Sequence, residues 1–317
     1  MDNVKDNAKR EDNTSSGGFC RGLGGSNGGF CCDSGERLGG GLSGKYPLTG
    51  RENHPENTVV NVGNATIGDG KFVFIAGPCA VESEKQIIET ATALKKSGVK
   101  ILRGGAYKPR TSPYSFQGLG KEGLKFLRKA KEETGLAVVT EITDLRTLDL
   151  FDGIDMIQIG ARNMQNFELL KEVGKFGKPV LLKRGFVNTV EEWLMSAEYI
   201  ASNGALDIVL CERGVRTFET LTRSTLDLGI IPLVKELTRL PVIIDPSHAS
   251  GNKKLIRPLT LAAAAVGADG AIIECCVSPE NAVCDGEQAI TPEELKEIIS
   301  AAAKVKEAAE KNGEASR

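Results

Sequence analysis

Residues able to bind an anion or a metal recur in one place along this chain, at the end of a short apolar run. FVFIAGPCA stops at Cys79, and VKILRGGAYKPRTSP runs into Arg103, Lys108 and Arg110. AVVTEI carries Glu141, DMIQIGARN reaches Gln158 and Arg162, and PVLLKRG holds Lys183. DIVLCERG supplies Glu212 and Arg213, PVIIDPSHASG closes on Asp245 and His248, and GAIIEC on Glu274. In a (β/α)8 barrel the active site is built at the carboxyl ends of the strands by the loops that follow them. Eight such runs in order predict one deep polyanion-binding pocket, and so an enzyme.

Two constellations stand out. Cys79, His248 and Glu274 fall at the ends of the first, seventh and eighth runs, which are neighbours in a closed barrel, and Asp285 follows shortly after. A thiolate, an imidazole and two carboxylates form a donor set of mixed softness suited to Mn2+, Fe2+, Co2+ or Zn2+. An open coordination position on such an ion polarises a carbonyl oxygen. Taken singly, a cysteine is usually a small core residue and an aspartate a turn residue. His248 is different, because the chain has only 2 His and this one lies in a Pro/Ser/Gly loop after a strand.

The second constellation is basic. Arg103, Lys108, Arg110, Arg162, Lys183 and Arg213 all fall at or just past strand ends, whereas helices such as LKFLRKAKEE carry the ordinary solvated charges. Cations converging on one mouth repel each other unless anions bind there, which implies a ligand bearing phosphate or carboxylate groups. Arg110, Thr111 and Ser112 lie between Pro109 and Pro113, with Lys108 directly before them, in a stretch pre-organised as a phosphate cradle. Lys183 has a second chemistry open to it, because a strand-end lysine with a depressed pKa forms Schiff bases with carbonyl substrates.

The elements that must position these groups are readable from period and punctuation. Residues 1–50 are polar and then glycine-dense, a composition too poor in apolar area to offset its chain entropy, so a disordered tail is expected. NTVVNVGNATIGDGKF reads as a β-hairpin around Gly63 and Asn64, placed to plug the amino-terminal mouth of a barrel. Residues 51–317 are then one catalytic domain, the hairpin plus a barrel. Strands are predicted near 72–76, 99–103, 137–141, 155–159, 179–183, 207–211, 241–245 and 270–274, all short and apolar as strands buried on both faces should be. Helices are predicted near 84–97, 121–134, 144–151, 166–174, 189–203, 220–239, 255–266 and 292–311. Strict alternation over eight units argues for a closed (β/α)8 TIM barrel. An open doubly wound sheet is disfavoured by the lack of a GxGxxG turn after the first strand.

Composition sets the outer bounds. The chain has 317 residues, 40% of them hydrophobic, a net charge of −2 and 5% aromatics. There is no basic field or stacking surface to suggest nucleic acid. No run reaches the ~18 apolar residues of a membrane span, and the amino terminus resembles neither a signal nor a transit peptide. A cytoplasmic protein with reduced thiols is expected, and Cys20, Cys31 and Cys32, with no histidine nearby, match no standard zinc module.

At IAGPCAVES, LRGGAYKPRTSPYSFQGLG, TEITD, QIGARNMQNFELL, PVLLKRG, CERGVRTFET, DPSHASG, GADGAIIEC and DGEQAIT the chain closely resembles the 3-deoxy-D-arabino-heptulosonate 7-phosphate (DAHP) synthases, the first enzymes of the shikimate pathway. The 3-deoxy-octulosonate 8-phosphate synthases belong to the same branch but carry a K-A-N-R motif where this chain has KPRTSP. The resemblance implies condensation of phosphoenolpyruvate with erythrose 4-phosphate and release of phosphate; the octulosonate reaction, with arabinose 5-phosphate, is the alternative. Carried onto this chain, Cys79, His248, Glu274 and Asp285 would hold the divalent metal. Arg162 and Arg213 would grip the phosphate of phosphoenolpyruvate, and Arg103 and Lys183 would meet its carboxylate and neighbouring oxygens. Lys108, Arg110, Thr111 and Ser112 would hold erythrose 4-phosphate. Cys79, His248 and Lys183 would be catalytic, with Lys183 or a water at the metal supplying the proton to the new alkoxide. Many relatives read E-V-H-P-x-P-E after the last strand, and here Cys276 occupies the histidine's place, where an extra thiol is expected to favour softer ions. A homo-oligomer, tetramer or dimer, is also implied. With no regulatory domain recognisable in the tail, no feedback inhibition by aromatic amino acids is expected from this chain alone.

Overall fold

The computed structural model describes residues 44–314. Strands β1 (Val60–Val62) and β2 (Ala65–Ile67) form the expected antiparallel hairpin, with Val60 opposite Ile67 and Val62 opposite Ala65. Eight parallel strands follow: β3 (Val73–Gly77), β4 (Ile101–Arg103), β5 (Ala137–Ile142), β6 (Met156–Ile159), β7 (Val180–Lys183), β8 (Ile208–Glu212), β9 (Val242–Ile244) and β10 (Gly270–Glu274). They pair in sequence order, and β10 closes on β3 to make a barrel. Gly77 lets β3 and β4 approach here, because a Cβ on it would lie 1.8 Å from the carbonyl oxygen of Arg103.

The two-residue period of a strand sorts the apolar side chains into two cores. Outward residues such as Leu102, Val138, Ile157, Leu182 and Leu210 pack under the helices. Inward residues Ile75, Ile101, Val139, Met156, Leu181, Val209, Ile243 and Ile272 fill the barrel. The same inner cluster contains Val60, Val62, Ala65 and Ile67, so the hairpin caps the barrel by adding its own apolar face. Gly63 sits at the hairpin turn with φ 58°, and a Cβ there would come within 2.9 Å of Ala137, at the start of β5.

The helices are α1 (Glu84–Lys96), α2 (Lys121–Thr134), α3 (Phe167–Phe176), α4 (Val190–Ala201), α5 (Ile230–Leu237), α6 (Pro246–Ser250), α7 (Lys253–Ala265) and α8 (Pro292–Glu314). Thr189 and Glu192 form a capping box on α4, and Thr291 with Glu294 does the same at the start of α8.

Three predicted elements differ. Residues 145–151 form a 3-10 helix rather than an α-helix. The helix expected over 220–239 is confined to α5, and the chain before it is irregular. There Val215 pairs with Thr225, Thr217 hydrogen-bonds Thr225 at 2.8 Å, and Glu219 accepts from the backbone N–H groups of Thr220 and Leu221. These local side-chain bonds compete with helix formation. Finally, the loop assigned to His248 is the short helix α6, capped by the Asp245 side chain and stopped by Gly251 in the left-handed region.

Of the expected tail, residues 1–43 lie outside the described residues. Its last stretch is packed on the barrel: Thr49 donates from both its N–H and its hydroxyl to Glu198 of α4 at 2.7 Å, and its carbonyl accepts from Thr238. No helix among the described residues is long and apolar enough to cross a membrane.

Ile67 is fully buried in the hairpin cap, remote from the strand ends that carry the ionisable groups. Ile67→Ala should lower the unfolding free energy by about 2–5 kcal/mol, read as a lower urea midpoint. Substrate KM values should stay unchanged.

Candidate active site

One layer, two residues along each strand, beyond the last apolar layer of the barrel, the inward positions become polar. Continuing the period from Ile101, Val139, Met156, Leu181, Ile243 and Ile272 leads to Arg103, Glu141, Gln158, Lys183, Asp245 and Glu274. A cavity of about 400 Å³ opens above them, lined by eight cationic side chains: Arg103, Lys108, Arg110, Arg162, Lys183, Arg213, Arg216 and Arg223. Thr111, Ser112, Glu141, Gln158, His248 and Asp285 line it too. The structure therefore brings all six sequence-predicted cations to one mouth and adds Arg216 and Arg223, the latter on the segment first read as helix. The signal for Arg216 was available in CERGVRTFET, where it follows the strand-end Arg213 in the same glycine-bearing loop.

At one side of the floor, Cys79, His248, Glu274 and Asp285 each offer a ligand atom, all within 4.8 Å of one another. Two donors bound to one ion at about 2.0–2.3 Å stand no more than about 4.6 Å apart, so the set needs only a small contraction to enclose a metal. The donor chemistry fits as well. The Asp245 carboxylate lies 2.7 Å from Nδ1 of His248 and also accepts from its backbone N–H, which fixes the ring and turns Nε2 toward Glu274, 3.1 Å away. Glu274 is fully buried, with Arg103 at 3.0 Å on one oxygen and the Gln288 amide on the other. Asp285 is the one non-glycine residue with positive φ among the described residues, at 56°. Left-handed backbone costs about 1–2 kcal/mol in an L-residue, and such outliers cluster at functional positions.

The buried charges of the cluster are paired with one another. Burial disfavours charge on Glu274, but His248, Arg103 and Lys108 overcome this and hold its carboxyl well below the usual range. Burial likewise opposes charge on His248, yet Asp245 and Glu274 lift it to about 10. The Cys284 thiol against Cys79, burial and the nearby Glu274 push the Cys79 thiol up, although Lys108 donates to its sulfur at 2.9 Å. The same thiol donates to Asp285 at 3.0 Å.

Cys276 is buried, its thiol raised to about 11 mainly by burial, and it lies outside the four clustered residues. The extra sulfur beside Cys79 is that of Cys284, a residue not singled out in the sequence.

Elsewhere in the cavity the cations divide into two kinds. Arg103, Lys183 and Arg223 have carboxylate partners in Glu274, Asp245 and Asp285, at 3.0, 2.5 and 3.3 Å. Arg213 donates only to neutral oxygens, those of Gly214, Ser224 and His248. Burial lowers its pKa, while Asp245 opposes the shift. Arg184 and Glu212, buried just outside the mouth, pair at 2.9 Å, and Glu212 also accepts from the N–H of Gly214, tying the turns after β7 and β8 together.

A closed parallel barrel with a metal-type cluster and a cation-lined mouth at the carboxyl ends of its strands is the layout of a (β/α)8-barrel enzyme. The profile of the DAHP synthetase I family matches residues 53–311, and the chain belongs to that family. It is 53% identical over 264 residues to a phospho-2-dehydro-3-deoxyheptonate aldolase of Thermotoga maritima, covering 83% of this chain and 78% of that protein. A crystal structure of that aldolase (DAHP synthase) from Thermotoga maritima superposes with a TM-score of 0.80 at 51% identity, covering 83% of this chain and 77% of the other. A truncated form of 3-deoxy-D-arabino-heptulosonate 7-phosphate synthase from the same organism gives 0.78 at 48% identity, covering 84% of this chain and 98% of the other. A 2-dehydro-3-deoxyphosphooctonate aldolase of Desulfotalea psychrophila is more distant, 30% identical over 272 residues, 79% of this chain and 95% of that one.

If His248 and Cys79 hold an ion, its uptake needs the imidazole neutral and the thiol ionised. Because the surroundings raise both above their ordinary pKa values, Mn2+ affinity should climb with pH through the neutral and alkaline range. Binding at neutral pH should release protons into a weakly buffered solution. A competition titration against a fluorescent chelator that gave a pH-independent affinity would contradict the ligand assignment.

Proposed function

We propose that this chain condenses phosphoenolpyruvate with erythrose 4-phosphate to give 3-deoxy-D-arabino-heptulosonate 7-phosphate and inorganic phosphate. The observation that carries this reading is a four-ligand cluster sharing one barrel mouth with eight cations, in a chain 53% identical to a heptonate aldolase. The octulosonate reaction is disfavoured by the lower identity of that relative, 30%, and by KPRTSP at residues 108–113.

A divalent ion held by Cys79, His248, Glu274 and Asp285 would polarise the aldehyde oxygen of the sugar phosphate. Arg162 and Arg213 hold the phosphate of phosphoenolpyruvate, and Arg103 and Lys183 take its carboxylate end. Lys108, Arg110, Thr111 and Ser112 receive the phosphate of erythrose 4-phosphate, which lies beyond the aldehyde toward the open rim. This places C3 of phosphoenolpyruvate against the aldehyde carbon, so the new C–C bond forms as the enol electrons move. Water then adds at C2, and the hemiketal collapses with cleavage of its bond to the phosphate oxygen. The aldehyde oxygen must gain a proton. Lys183 is suited to give it, because its Nζ and the His248 ring share the Oδ2 oxygen of Asp245, a buried anion that can compensate the change of charge.

That pairing also argues against a Schiff-base aldolase, since an ammonium ion-paired to a buried carboxylate is a poor nucleophile. The five described cysteines, Cys79, Cys211, Cys275, Cys276 and Cys284, are all unpaired, which suits the cytoplasmic location included in this reading. Homo-oligomeric assembly is likewise part of it, and sedimentation of the full chain tests it.

Phosphate release from phosphoenolpyruvate should require erythrose 4-phosphate, fail with arabinose 5-phosphate and stop when the metal is chelated. Release with arabinose 5-phosphate alone would transfer the chain to the octulosonate reaction. Lys183→Met should lower kcat by about 100-fold or more, and near-normal turnover in that variant would remove Lys183 as the proton donor.

A further inference from the structure

Three guanidinium groups in the mouth surround a single aromatic ring. The ring is Phe186, in the turn after β7, and the Cζ atoms of Arg213, Arg216 and Arg162 lie 4.6, 4.8 and 5.4 Å from its centroid. They arrive from both sides: Arg162 follows β6, whereas Arg213 and Arg216 follow β8. The N–H of Arg216 donates to the Phe186 carbonyl at 2.7 Å, joining the two loops at this point. Phe186 belongs to none of the apolar core clusters, and it lines the cavity.

These three arginines share the absence of a counter-ion. Arg103, Arg184 and Arg223 each have a carboxylate partner. Among the described residues, Arg162, Arg213 and Arg216 make no ion pair. Like charges gathered this closely repel, and side chains free to do so would swing apart into solvent. The negative face of an aromatic ring attracts guanidinium groups without carrying net charge. A carboxylate in the same place would also gather the arginines, but it would repel an incoming phosphate and compete for the same N–H donors.

We propose that Phe186 is a positioning residue whose ring holds Arg162, Arg213 and Arg216 together as a pre-formed phosphate site, and that Arg216 is a third guanidinium on the phosphate of phosphoenolpyruvate. The inference rests on the assignment of Arg162 and Arg213 to that phosphate made above. It adds a reason for their convergence before the substrate arrives, and a contact that the sequence did not suggest.

The test varies the ring's electron density at nearly constant size. Mono-, di- and trifluorophenylalanine are placed at position 186 of the full-length metal-loaded enzyme, and phosphoenolpyruvate binding is followed by calorimetry. The dissociation constant should rise stepwise, about tenfold over the series, while the KM for erythrose 4-phosphate and the melting temperature stay put. An affinity that does not depend on fluorination overturns the role of Phe186, because a packing role depends on shape and not on the quadrupole. Arg216→Gln should weaken phosphoenolpyruvate binding by about tenfold or more, with inorganic phosphate weakened in parallel, and unchanged binding removes Arg216 from the site. Arg162→Gln separates the two levels of inference. If it binds phosphoenolpyruvate normally, the phosphate assignment itself fails. If it loses binding while the fluorinated series is flat, only the ring's role fails.

Discussion

Everything at this site depends on the two-residue period of strands locked into a closed parallel barrel. Closure leaves each strand no freedom of register, so a side chain's layer follows from its position in the strand. Ile101 and Arg103, Leu181 and Lys183, Ile272 and Glu274 are successive inward residues. The first of each pair belongs to the apolar barrel core, and the second to the site. A one-residue slip of β7 would send Lys183 outward among the helices and put Leu182 in the mouth. Packing in the lower barrel, completed by Val60, Val62, Ala65 and Ile67 of the hairpin, therefore sets the geometry of the chemistry above it.

Burial at that upper layer imposes a second condition, which is charge balance. Glu274 and Asp245 have no exposed surface, so an isolated charge on either would be costly. Both are shared: Glu274 lies between Arg103 and His248, and Asp245 between Lys183 and His248. His248 is common to the two acids and links the metal-type cluster to the lysine. An ion held in the cluster would take over the positive charge that the proton on His248 supplies beside Glu274. Around Phe186 the mouth is built oppositely, with Arg162, Arg213 and Arg216 outside any ion pair among the described residues. One cavity thus holds a self-neutralised half and a positive half, which suits the cation and the phosphate of the proposed reaction.

The barrel strands were legible because parallel strands buried on both faces are continuous apolar runs, and each ended in a residue too costly to bury without a purpose. The strand-end cations Arg103, Lys183 and Arg213 followed from the same reasoning. The misread parts are those where side-chain bonds override periodicity. Residues 220–229, first read as the start of a helix over 220–239, are irregular. Thr217, Glu219 and Thr225 instead fold them back over the mouth, where Ser224 meets Arg213 and Arg223 meets Asp285. Asp245 was recognised as a strand-end acid. Its three roles as helix cap, ring anchor and lysine partner depend on α6 forming directly after β9, and five residues give too little pattern to announce a helix. The ring of Phe186 was invisible for a different reason: a single aromatic in a loop has no period, and its value lies in what arrives from two other loops.

Local backbone strain is confined in a way that matches this division. Among non-glycine residues described, only Asp285 adopts positive φ, and it lies in the long connection after β10 rather than on the barrel. The other three clustered ligands are set by a strand end or by an element directly attached to one: Glu274 ends β10, His248 lies in α6, and Cys79 follows β3 closely. Three of the four clustered residues thus stand on the barrel frame and the fourth on a loop with strained backbone. Hydrogen bonds from the Cys79 thiol and from Arg223 hold the Asp285 carboxylate against the cavity. If the cluster holds the ion of the proposed reaction, coordination of Cys79 as thiolate would replace the thiol–carboxylate hydrogen bond, and a bond from Asp285 to the ion would help offset the cost of its left-handed backbone.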